Sequence, residues 1–149
     1  MSNSGTWSSA QEERRAIDWR RYALVGLATV VAAVLANVIV YVIGSMIVTY
    51  NPQFVVLANP SGAVLFTVVP AIVAVLLYAM LLRFTANPAR IFTIIAAVVL
   101  ILSWVPDLTY IPTVPGSSAE QTVVLMVMHA VAAAVIVWML TTLTPSATR

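Results

Sequence analysis

Four long apolar runs alternate with short polar links along this chain. A helix needs about 20 apolar residues to cross the roughly 30 Å hydrocarbon layer of a bilayer. Runs over about 22–48, 63–83, 90–106 and 121–143 meet or approach that length, and none has a charge in its interior. No period-two alternation appears, which argues against a membrane β-barrel. The pattern predicts an all-α fold, a transmembrane four-helix bundle of up-down topology. Asn-Pro pairs punctuate it at 51–52, 59–60 and 87–88. Asn is a good helix cap, and Pro is tolerated at the first helical position, so the second and third pairs are expected to open spans two and three. Pro106, Pro112 and Pro115 make the link before the last run too rich in breakers for a long helix.

Composition excludes two broad classes. Of 149 residues, 62% are hydrophobic and 8% charged, against about 25% charged in soluble domains. A water-soluble globule could not cover its surface with so few polar groups, and a disordered chain would need the opposite balance. With no cysteine in the chain, disulfides, thiol redox chemistry and thiolate metal sites are removed together.

The charges fix an expected orientation. All seven basic residues are Arg. Arg14, Arg15, Arg20 and Arg21 precede the first run, Arg83 and Arg90 flank the link between the second and third, and Arg149 ends the chain. The stretches 51–62 and 107–120 contain no Arg and carry only Asp107 and Glu120. The positive-inside rule then places both termini in the cytoplasm. A basic cluster in that position points to anionic lipid headgroups rather than to nucleic acid. The first run exceeds the 7–15 residues of a signal-peptide core, so it is expected to be a retained anchor. Residues 1–21 are read as a cytoplasmic segment with an amphipathic interfacial helix. Ser9 and Glu12 have capping-box spacing there, and Trp7, Ile17 and Trp19 supply its apolar side. Residues 22–144 form the membrane domain and 145–149 a cytoplasmic tail.

Inside the spans, small and polar residues mark packing and chemistry. Ala28, Ala32, Ala36, Val40 and Gly44 recur every fourth position and predict a packing face on span one. Trp7, Trp19, Tyr22, Tyr50, Trp104, Tyr110 and Trp138 lie near expected interfaces, as an aromatic belt does. His129 is the single histidine and falls inside span four. An ionisable group at membrane depth is by default a functional hypothesis. Asn37, Ser103 and Asp107 fall at comparable depth, and Pro70 frees a carbonyl beside Thr67. These residues are expected to converge as a polar pocket, opening outward, that binds a small molecule of unspecified identity. The structural alternative is a hydrogen bond from His129 to Ser103 or Asn37 that only fixes helix register.

Catalysis, cofactors and metals find little support. One histidine, no cysteine and no buried carboxylate pair do not build a closed metal or haem site within one chain. Ser103, His129 and Asp107 are the residue types of a triad but lack a nucleophile elbow and oxyanion donors. The expectation is a non-enzyme without a cofactor.

Several short elements carry a family resemblance: Leu81-Leu82-Arg83, Asn87-Pro88 with Arg90, Ser103-Trp104-Val105-Pro106-Asp107-Leu108 and Met128-His129-Ala130. Together with the Asn within span one, they resemble a family of small four-span bacterial integral membrane proteins of unknown function. The resemblance covers about residues 20–143 and implies the fold, a bacterial origin and the topology, with no activity attached. The functional expectation is an accessory or interaction protein in the lipid bilayer, partnered by a second copy or a larger membrane complex. The alternative is a small transporter, channel-like element or sensor using the pocket around His129.

Overall fold

The computed structural model describes residues 18–144. Four helices dominate: α1 (Trp19–Ile47), α2 (Pro60–Phe84), α3 (Pro88–Thr109) and α4 (Ala119–Leu143), with a 3₁₀ turn at Ile111–Thr113. All four are long and apolar enough to cross a membrane, and no strand occurs among the described residues. Of the segment 1–21 expected to carry an interfacial helix, residues 1–17 lie outside those described, and Trp19–Arg21 form the first turn of α1 itself.

Local caps explain why the helices outrun the apolar runs. The Asp18 carboxylate accepts the Arg21 N–H at 3.0 Å and starts α1. Ser118 Oγ does the same for the Gln121 N–H at 3.3 Å and starts α4. Pro60 and Pro88 open α2 and α3 as expected, but neither preceding Asn makes a side-chain cap bond. The Asn59 carboxamide oxygen is taken instead by the Ser61 hydroxyl. Helix α3 runs on through Pro106, and the Tyr110 N–H closes its last turn on the Pro106 carbonyl at 2.9 Å. Proline's fixed φ is helical, so near a helix end it removes one donor without stopping the chain.

The helices run up and down. Helix α4 packs extensively on α1 and α3 and also touches α2, α1 packs extensively on α2 as well, and α3 touches α2 only lightly. One core, around Tyr22, Ala33, Tyr78, Phe92 and Leu140, fills the end that carries Arg20, Arg21, Arg83 and Arg90. A second, around Phe54, Leu57, Val124 and Met128, fills the end that carries the two longer loops.

The packing face of α1 overlaps the one the alanine spacing suggests but is rotated from it. Of the every-fourth line, Ala28 is exposed, Ala32, Ala36 and Val40 are half-buried and Gly44 is buried, while the buried line runs Tyr22, Gly26, Thr29, Ala33, Asn37 and Gly44. Polar groups account for the rotation. Tyr22 and Asn37 have no partners in hydrocarbon, so the face that carries them turns inward. Gly26 and Gly44 then permit close approach: a Cβ at Gly26 would meet Val75, and one at Gly44 would meet the Tyr50 hydroxyl and Val124.

Candidate functional site

A cavity of about 510 Å³ lies between α2, α3 and α4, with Asn37 of α1 on its wall. Its size falls in the range of about 300–1,000 Å³ typical of small-molecule sites. It exists because α3 leans on α4 and touches α2 only lightly. Toward the arginine end, Phe92 packs its ring on Tyr78 of α2, centroids 5.0 Å apart. Toward the loop end, Trp104 Nε1 donates to the Met126 carbonyl at 3.2 Å, and Asp107 meets His129. Between these pins the α3 face consists of Ile95, Ala96, Val99 and Leu100, which line the gap without filling it.

The mouth faces sideways. Phe66, Val69 and Val73 of α2 and Val99 of α3 are both exposed and part of the lining. At the loop end, Leu57 is fully buried and lines the cavity beside Val56, with Phe54 buried behind. The expected polar pocket open toward the loops is therefore an apolar cavity open along the bundle's flank. The physical reason is the segment between α1 and α2, which folds its apolar side chains inward over that end.

Four of the five expected site residues, Asn37, Thr67, Ser103 and His129, stand on the cavity wall. Asp107 does not line it and instead stands behind His129. Helical rise puts Thr67 and His129 about 10–15 Å from the loop-end termini of their helices, near the middle of a bilayer.

The polar groups form pairs rather than one network. Asn37 Nδ2 donates to Thr67 Oγ1 at 2.8 Å, and Thr67 Oγ1 donates to the Ala63 carbonyl at 2.6 Å. Because the Thr67 proton is committed to Ala63, its oxygen can only accept from Asn37. This fixes the carboxamide and leaves Asn37 Oδ1 buried with no partner. His129 Nδ1 lies 3.0 Å from Asp107 Oδ2, a close polar contact whose direction departs from that of a hydrogen bond. The histidine side chain is 43% exposed and the carboxylate 6%. The imidazole thus presents its remaining edge to the cavity while Asp107 stays enclosed. The hydrogen bond expected from His129 to Ser103 or Asn37 is not made, and Ser103 Oγ donates to the Leu100 carbonyl at 2.7 Å.

Several members of the site escape a sequence reading. Trp104 and Tyr22, expected as belt residues, also tie helices together; the Tyr22 hydroxyl donates to the Val75 carbonyl at 2.5 Å. Phe66, Val69, Val73 and Val99 form the mouth, and no signal sets them apart from the other aliphatic residues of their spans. No group of three metal-ligating side chains gathers among the described residues.

Neither the curated proteins nor the solved structures contain a match to this chain. A family model does match, over residues 17–146. These residues include all four helices and every residue of the cavity wall. The chain belongs to DUF6069, a family of unknown function.

Proposed function

We propose that this multi-pass membrane protein is a non-enzymatic accessory protein of the bacterial inner membrane, whose flank cavity holds an apolar guest drawn from the bilayer. The observation that carries the reading is the cavity's lateral mouth, lined by Phe66, Val69, Val73 and Val99. A molecule dissolved in lipid reaches it without crossing water. Ser103 supports the non-enzymatic part, since its hydroxyl is spent on its own helix and does not face His129. Native mass spectrometry of protein released from lipid nanodiscs tests the reading. Wild type retains a bound apolar species, and Val99→Trp, which fills the mouth from a lipid-facing position, loses it. Equal retention by both proteins would refute the cavity as the binding site.

The orientation belongs to the same proposal. The arginines at the termini end and at the α2–α3 link support a cytoplasmic placement for that end. A cysteine introduced at Phe84 is then expected to resist a membrane-impermeant reagent in intact cells and to react after lysis. A second reading, a transporter or sensor using His129, draws on the Asp107–His129 pair within the spans. Proton flux in liposomes that depends on His129 would favour it.

A further inference from the structure

The lateral mouth of the cavity and the arginine below it describe the guest together. We propose that the guest is one acyl chain of an anionic phospholipid from the leaflet at the arginine end, with the lipid phosphate held by Arg83. This rests on the cavity being a binding site at all, and adds which lipid fills it and what anchors that lipid.

The first observation is shape. The cavity wall runs from Gly62 to Leu77 on α2 and from Phe92 to Ser103 on α3, about 16–22 Å by helical rise. A slot drawn out along the bundle axis matches an extended hydrocarbon chain, and its loop end is closed by Leu57. The second observation is the place of the charge. Phe84 stands about five turns from Phe66 and about three from Val73, so it continues the exposed line of α2 that forms the mouth. The Arg83 guanidinium carbon lies 5.8 Å from the centre of the Phe84 ring, which brings the positive charge to the foot of that line. The third is distance. Val73 is ten residues from Arg83, about 15 Å, or half the hydrocarbon thickness. A phospholipid with its phosphate at Arg83 therefore ends its chain at the level of the mouth. Among the described residues, the one carboxylate at this end is Asp18, which caps α1 by accepting the Arg21 N–H. Arg90 supplies a contrast within the same end. It is also exposed, but it stands about two and a half turns from Val99, on the side of α3 away from the mouth.

Photo-labelling in phosphatidylcholine nanodiscs tests the proposal, with trace phosphatidylglycerol or trace phosphatidylcholine carrying the same diazirine-ended chain. The anionic probe is expected to label peptides of α2 and α3 about three- to tenfold more than the zwitterionic one, the worth of one arginine near the surface. In Arg83→Gln that ratio should fall toward unity while labelling by the zwitterionic probe persists, and in Arg90→Gln it should hold. Both side chains are exposed, so neither change disturbs the core. A ratio near unity in wild type overturns the anionic assignment and leaves the cavity reading intact. A ratio that survives Arg83→Gln, or that falls equally in both variants, overturns Arg83 as the anchor. Labelling that Val99→Trp does not reduce overturns the cavity reading itself.

Discussion

The seam where α1 meets α2 and α4 and the seam between α2 and α3 are built from the same aliphatic residues, yet one is closed and the other hollow. In lipid, apolar side chains gain little by leaving hydrocarbon for one another, so they do not decide which seams close. Small residues and polar bonds decide. The closed seam has glycine at positions 26 and 44, the Tyr22 bond to Val75 and the Asn37 bond to Thr67. Between α2 and α3, no side-chain hydrogen bond is made among the described residues, and the Tyr78–Phe92 contact at one end is the main tie. The lesson is that a cavity in this bundle needs no special lining. It forms wherever two helices are held apart by contacts at their ends and nothing polar draws their middles together.

The contrast can be broken at its pins. Tyr78 is fully buried, stacked on Tyr22 with centroids 6.5 Å apart and edge-on to Phe92. Tyr78→Ala is expected to give the largest loss, about 3–5 kcal/mol of stability, with release of the α3 end. Tyr78→Phe is expected to be neutral or slightly stabilising, because the buried hydroxyl it removes has no partner. Thermal unfolding in nanodiscs reads both. The other pin gives an asymmetric result. His129→Leu strands the enclosed Asp107 carboxylate and is expected to cost about 3 kcal/mol, near the low end for breaking a buried pair. Asp107→Leu leaves a histidine that is accessible from the cavity, so its cost should be clearly smaller, and the double replacement should recover much of the loss. A double-mutant cycle checks this, and equal single losses would mean that the pair is not the pin.

These differences explain what the sequence could and could not reveal. The spans were legible because hydropathy alone sets them, and Pro60 and Pro88 mark two of their starts. Asp18 and Ser118 were less visible as caps, since each stands beside residues that could equally have belonged to a link. The inward face of each helix was hidden, because a helix that is apolar all round has no periodicity to read. Asn37, Thr67, Ser103 and His129 stood out as polar residues at depth and do share one cavity wall. That the wall is mostly apolar, and that it opens to the flank, depends on the spacing of the pins across α3, which no local pattern encodes. Asp107 and His129 meet across two helices, a contact that no spacing within one helix encodes.

The choice of face on α1 supplies the smallest and cleanest test of the comparison. Ala33 is fully buried in the closed seam, and Ala28 faces out from the bundle. If polar partners rather than the alanine repeat select the face, the two alanines should respond differently to the same change. Ala33→Leu forces a larger side chain into a packed helix contact and is expected to cost about 1–3 kcal/mol. Ala28→Leu adds only lipid-facing hydrocarbon and should stay within about 0.5 kcal/mol of wild type. Thermal unfolding of the pair in the same nanodiscs measures the difference. A reversed order would mean that α1 turns Ala28 rather than Ala33 to its neighbours, which would carry Asn37 away from Thr67.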